Sequence, residues 1–243
     1  MNSTTDKIIA AAVALGITAL LIAGVSMAQK PSVVASARAA AVPAPIETAS
    51  SSAVASGQLE TVVFAGGCFW GVQGVFQHVK GVQRAVSGYA GGNASDANYE
   101  LVSSGTTGHA EAVQVVYDPA QVSYGKLMQG FFSVVHDPTQ LNYQGPDHGT
   151  QYRSAVFTTT PAQLSATKSY IAQLQKAKTF AAPIATEVSS AKPFYPAESY
   201  HQDYLTLNPN AAYIRYYDAP KLAALKSTYP ALYNPSPALV AGR

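Results

Sequence analysis

No charge interrupts residues 8–25 (IIAAAVALGITALLIAGV), which follow Lys7 and precede the small residues of Ser26-Met27-Ala28. That pattern predicts an export signal over residues 1–28. The run has 18 residues. It is longer than an ordinary signal core of about 7–15 and reaches the spanning threshold of about 18, so a retained membrane anchor stands beside the favoured cleaved signal. Residues 29–58 hold Ala, Ser, Val and Pro without helical or strand period (AAAVPAPIETASSSAVASGQ), which predicts a linker that buries little surface.

Periodic structure begins at residue 59. An apolar run over 59–65 predicts a buried strand, and after Gly66-Gly67 an apolar helix follows over 68–78. Strands are predicted over 82–89 and 109–117, the latter stopped by Asp118-Pro119, with a helical turn over 99–103 between them. Ser123 caps a helix to about 135 with Leu127, Phe131 and Phe132 on its apolar face. A polar loop spans 136–151, then a strand 153–158. Thr160-Pro161 starts a helix to about 178, since proline suits the first helical position. A last strand is predicted over 184–189, and short helices over 198–205 and 220–227. This order is not a strict βαβ alternation. It predicts an α+β sandwich with helices on a mixed or antiparallel sheet, a folded domain over 59–233 and a tail over 234–243.

Composition narrows the function classes. Charged residues are 12% of the 243, about half the usual share of roughly 25%. Hydrophobic residues at 48% are ample for a core. The net charge is +2 and no Lys/Arg cluster tracks a phosphate backbone, so nucleic-acid binding is not expected. All 15 tyrosines and 8 phenylalanines lie beyond the linker. The single cysteine excludes an intrachain disulfide and a multi-cysteine zinc site.

That cysteine, Cys68, sits at the start of a predicted helix after two glycines. Backbone N–H groups and the helix dipole there favour a thiolate, and glycines permit close approach to whatever the sulfur attacks. A buried free cysteine acting as a small hydrophobe is the alternative. Phe69 and Trp70 follow it, as core residues or as walls of an apolar pocket. Glu111 shares a strand face with Val113, Val115 and Tyr117. A carboxyl on an apolar face has its pKa raised, which suits a general acid, whereas a strand-end glutamate would reach solvent. Asp147-His148-Gly149-Thr150-Gln151-Tyr152-Arg153 is a dense polar run in a loop. The five histidines are scattered and form no helical metal-ligand pair, so no metal site is expected.

Gly67-Cys68-Phe69-Trp70-Gly71 resembles the active-site signature of the A-type peptide-methionine (S)-S-oxide reductases. The resemblance continues through Gly88-Tyr89-Ala90-Gly91-Gly92, Gly105-Thr106-Thr107-Gly108-His109-Ala110-Glu111, His136-Asp137-Pro138 and Asp147-His148-Gly149-Thr150-Gln151-Tyr152. It extends to Pro193-Phe194-Tyr195-Pro196-Ala197-Glu198 and His201-Gln202-Asp203-Tyr204.

The resemblance implies a two-layer α/β sandwich with the catalytic cysteine at a helix N-terminus. Cys68 matches the nucleophile, and Phe69 and Trp70 the aromatic walls around the substrate methyl. Glu111 matches the acid that protonates the sulfoxide oxygen, Tyr99 and Tyr152 the phenols on that oxygen, and Asp147 a carboxylate that orients the substrate. The implied substrate is the S epimer of methionine sulfoxide, free or in proteins, reduced through a sulfenic acid on Cys68. The family needs no organic cofactor or metal. Many relatives carry resolving cysteines near the C-terminus or shortly before the Gly-Thr-Thr-Gly-His block. Here Ser103 stands in the latter neighbourhood and the tail has none, so an external thiol is expected as reductant, a thioredoxin-like protein or a small thiol. With the signal, this implies repair of oxidised exported proteins. The expected place is the periplasm or the outer face of the inner membrane, with residues 8–25 as a tether if retained, and the expected state is a monomer.

Two other readings fit less of the chain. A papain-like peptidase uses a Cys–His pair, but its local signature needs a second cysteine. A non-catalytic binding module using its tyrosines leaves Cys68 and Glu111 unexplained.

Overall fold

The computed structural model describes residues 41–46, 57–190 and 192–240. The predicted signal or anchor and most of the predicted linker lie outside these residues. Among the described residues no helix is long and apolar enough to cross a membrane.

In chain order the elements are β1 (Glu60–Gly66), α1 (Phe69–Gln77), β2 (Val82–Ala90), α2 (Tyr99–Ser103), β3 (Ala110–Tyr117) and α3 (Tyr124–Gly130). Next come β4 (Tyr143–Gln144), β5 (Asp147–His148), β6 (Ser154–Thr158), α4 (Pro161–Lys176), β7 (Glu187–Ser190), β8 (Phe194–Pro196), α5 (Tyr204–Leu207) and α6 (Ala219–Thr228). The sheet order is β7-β6-β1-β3-β2-β8, antiparallel except where β7 joins β6 in parallel. The mixed sheet and α+β class are as predicted.

Caps explain where the helices begin. Asn98, Ser123 and Thr160 each accept a backbone N–H from three residues on, satisfying donors that have no partner within the helix. Past Gly130, the predicted long helix widens to a π turn over Phe131–Val135. This places Phe131 against Phe64 of β1 at 4.8 Å, with Phe76 of α1 stacked on Phe64 at 4.8 Å. Alternation along β3 then decides what each sheet face does. Val113, Val115 and Tyr117 join the larger core with α1, while Ala110 and Ala112 join a smaller cluster with Val63, Ala65, Phe157 and Phe194.

Two departures concern a stretch of the predicted linker and a strand within the predicted domain. Residues 41–46, within the predicted linker, lie along α3 and α4. Val42 is buried, and its carbonyl accepts from Gln129 Nε2 at 2.9 Å. The Pro43 carbonyl accepts from Tyr170 Oη at 2.6 Å, and Ala44 and Ile46 both bond the Gln173 amide. Composition alone hid this, because the partners are polar side chains far along the chain. The second departure is β8. Its Tyr195 pairs with Tyr89 of β2, and a three-residue strand that ends on a proline carries too little period to read from the sequence. The predicted strand at 184–189 forms as β7, shifted toward Ser190.

Candidate active site

Cys68 is the N-cap of α1, with φ −51 and ψ 124, and is buried. The glycine before it is held in the left-handed region at φ +89, and a Cβ there would lie 2.6 Å from the Gln144 side chain. The Gln144 side chain of β4 therefore packs close against Gly67. Gly71, on the next residue but two, admits the buried carboxylate of Asp218, where a Cβ would meet Oδ1 at 2.1 Å. Asp218 is ion-paired with Lys221 at 3.0 Å.

Glu111 is buried on β3, across from Tyr89 of β2. The Phe69 backbone N–H, at the first helical position after Cys68, donates to Glu111 Oε2 at 3.0 Å. Burial pushes the Glu111 carboxyl up to about 8, against that hydrogen bond and with help from the charges of Asp147 and Asp218. At neutral pH it is mainly protonated, as the apolar-face reading requires of an acid.

The expectation of a ready thiolate is corrected. Burial pushes the Cys68 thiol well up, with the charges of Glu111 and Asp218 adding to it. The Trp70 backbone amide and the Lys221 ammonium act the other way and do not prevail. A helix N-terminus favours an anion only to the extent that desolvation does not outweigh it. The resting pair is thus a thiol and a carboxylic acid.

Trp70 is braced from three sides. Tyr204 stacks on the indole at 3.8 Å and 12°, and Tyr213 meets it edge-on at 5.9 Å. Indole Nε1–H donates to His201 Nδ1 at 3.2 Å. Burial lowers the His201 pKa, so the ring is neutral with its proton on Nε2, the tautomer an Nδ1 acceptor demands. Phe69 packs on the same imidazole at 5.0 Å and on Tyr89 at 6.0 Å.

The phenols arrive from loops. Tyr99 opens α2, and its ring lies 4.4 Å from His201. Glu198 fixes it by accepting from the Tyr99 backbone N–H at 2.9 Å and from Tyr89 Oη at 2.7 Å. Tyr152 ends the helical turn Thr150–Tyr152 and feels the charges of Glu111, Asp147 and Cys68. Asp147, on β5, accepts a hydrogen bond from Tyr213 Oη.

The seven residues singled out from the sequence thus gather around α1's first turn. Sequence reasoning assigned no role to His201, Tyr204, Tyr213, Glu198 or the Asp218–Lys221 pair. The block His201-Gln202-Asp203-Tyr204 was the available signal for two of them. Among the described residues no group of three or more His, Cys, Asp or Glu side chains could hold a metal ion.

A family model described as peptide methionine sulfoxide reductase matches residues 60–232. The peptide methionine sulfoxide reductase MsrA 2 of Mesorhizobium japonicum is 62% identical over 181 residues, covering 74% of this chain and 93% of that protein. That of Synechocystis sp. is 53% identical over 170 residues, covering 70% and 79%. Reduced Mxr1 of Saccharomyces cerevisiae superposes with a TM-score of 0.57 at 36% identity, covering 63% of this chain and 88% of that one. Methionine sulfoxide reductase A of Corynebacterium diphtheriae gives 0.54 at 37% identity, covering 64% and 79%.

Proposed function

The chain belongs to the peptide methionine sulfoxide reductase family, and from that membership we propose how its pocket reduces methionine sulfoxide and in what setting. The observation that carries the reading is the buried carboxyl of Glu111, hydrogen-bonded to the turn that holds Cys68 and raised in pKa by its burial.

The substrate methyl group rests against Phe69 and Trp70, and its oxygen faces Glu111, Tyr99 and Tyr152. Glu111 passes its proton toward the oxygen, which makes the sulfoxide sulfur electrophilic and puts positive charge beside Cys68. That charge offsets the desolvation that keeps the thiol protonated, and the thiol proton returns to the Glu111 carboxylate. Sulfur attacks sulfur as the S–O bond breaks, and the phenols stabilise the charge growing on oxygen. Two electrons pass from Cys68 to the substrate. The oxygen leaves as water on a second proton from Glu111. Water then attacks the Cys68 sulfur and returns a proton to Glu111. The new S–S bond breaks with its electron pair on the substrate sulfur, so methionine leaves and Cys68 is a sulfenic acid. Asp147, held by Tyr213, orients the substrate backbone.

An acid held by the Phe69 N–H and a braced indole would fix where the sulfoxide oxygen and methyl sit, as discrimination between epimers requires, and the family resemblance implies the S epimer. No cysteine other than Cys68 is present, so an external thiol condenses with the sulfenic acid, releasing water, and a second thiol frees the enzyme. A thioredoxin-like dithiol or a small thiol suits this step. The uncharged run at 8–25 supports export, with repair of oxidised proteins in the periplasm or at the outer face of the inner membrane. The test is turnover of the separated R and S methyl aryl sulfoxides with dithiothreitol. Reduction of S alone is expected, and equal rates on both would overturn the epimer assignment.

A further inference from the structure

Residues 234–240, beyond α6, fold back along α1. Val79 and Tyr233 form an antiparallel bridge. The Asn234 N–H donates to the His78 carbonyl at 2.7 Å, and the Ala238 N–H to the Gln77 carbonyl at 3.0 Å. The Val240 N–H then reaches both carboxylate oxygens of Asp203, at 3.0 and 3.1 Å.

Asp203 is buried at 1% exposure and sits in the left-handed region, φ +59 and ψ 18. Its own N–H donates to Gln73 Oε1 at 2.8 Å, and its Oδ1 accepts from Gln77 Nε2 at 2.6 Å. Gln73 also donates to Gln202 Oε1 at 2.8 Å. Gln73 and Gln77 stand three and seven residues after Trp70 on α1, so all three share one helix face. The turn 201–204 is stapled along that face. Its two ends, His201 and Tyr204, are the residues that hold the indole.

We propose that residues 238–240 are a positioning element for Trp70: the Val240 N–H clamps Asp203, which fixes the turn carrying His201 and Tyr204 and so the indole wall of the sulfoxide pocket. The proposal rests on Trp70 lining that pocket. Its logic is a hydrogen bond to a buried charged acceptor, which is stronger than a neutral one and is placed where a small shift of backbone moves two aromatic contacts.

Trp70 is the only tryptophan, so intrinsic fluorescence reports its surroundings without a label. Val240→Pro removes the N–H and keeps the chain length. Asp203→Asn keeps a residue that tolerates the left-handed backbone and removes the charge. A chain ended after Ser236 removes the whole contact. Each is expected to shift Trp70 emission and increase its quenching by acrylamide. KM for S methyl aryl sulfoxide should rise about fivefold with kcat within about twofold, the pattern of lost substrate positioning rather than lost chemistry. If the shortened chain fails to fold, Val240→Pro decides. Unchanged emission in Val240→Pro overturns the proposal, as does shifted emission with unchanged KM, or a fall in kcat alone. Absence of turnover in the unsubstituted protein would instead remove the reductase reading, and quenching would still decide whether the clamp holds the indole.

Discussion

The Phe69 backbone N–H donates to Glu111 Oε2 at 3.0 Å, so the acid is tied to the first turn of the helix that Cys68 caps. The bond favours the ionised form, burial favours the neutral one, and burial prevails to place the carboxyl near 8. Glu111→Gln keeps the shape and cannot deliver a carboxylic proton. The chemical step should slow by about 10²–10⁴, the usual weight of a general acid. Wild-type single-turnover rate should fall as pH rises through about 8, a limb missing from the variant. Matching profiles and rates would make Glu111 structural.

The same group sets a stability trend. Its folded pKa lies above the unfolded value of 4.5, so the folded state holds the proton more tightly between 4.5 and about 8. Stability contributed by the protonated form is complete below 4.5 and is lost as pH rises through about 8. Glu111→Gln lacks this loss. Thermal melts should therefore show the variant gaining on wild type between pH 5 and pH 9, and parallel curves would contradict the burial argument.

Cys68→Ser should abolish sulfoxide reduction with the fold intact, because a hydroxyl is a far poorer nucleophile at neutral pH. Residual activity above about 1% of wild type would point to another nucleophile, given losses of 10² or more for a catalytic group. The isosteric change also leaves the buried site filled, so circular dichroism should be unchanged.

Gly71 gives a packing test. A Cβ there would meet Asp218 Oδ1 at 2.1 Å, in a carboxylate that is buried and paired with Lys221. Gly71→Ala must displace a charge from its partner and should destabilise the domain by about 1–3 kcal/mol, the range for overpacking. Asp218→Ala removes the obstacle but leaves Lys221 unpaired. In urea melts the double variant should lose less than the sum of the single ones, since the two residues touch. Strict additivity would mean that the carboxylate does not constrain position 71.

Legibility from sequence followed the range of the interactions. The placements of Cys68 at a helix start and of Glu111 on a buried strand face were readable because both are local patterns, and α2 matched its predicted bounds for the same reason. The thiol's resting state was not readable. A local rule predicts stabilisation at a helix N-terminus, whereas desolvation depends on everything packed around the sulfur. His201 and Tyr204 were visible as a motif, yet their task of holding Trp70 depends on contacts spanning more than 130 residues. The docking of residues 41–46 is long-range in the same way, through Gln129, Tyr170 and Gln173.

Recycling is the last consequence of the cysteine count. Cys68 alone carries a thiol, so a sulfenic acid formed there has no partner in its own chain. The position where a relative could keep a resolving thiol is filled: Ser103 donates to the Glu100 carbonyl at 3.0 Å. Residues 234–240 are held along α1 and carry none. Excess methionine sulfoxide should therefore yield one equivalent of methionine per chain and then stop. The protein should gain the mass of one oxygen, by mass spectrometry, and react with dimedone. Added dithiothreitol or a thioredoxin-like dithiol should restore turnover, whereas a monothiol should pass through a mixed disulfide detectable on Cys68. Continued turnover without added reductant would sink this account. So would a Cys68–Cys68 dimer formed at the rate of catalysis, because the resolving thiol would then come from a second copy of the chain.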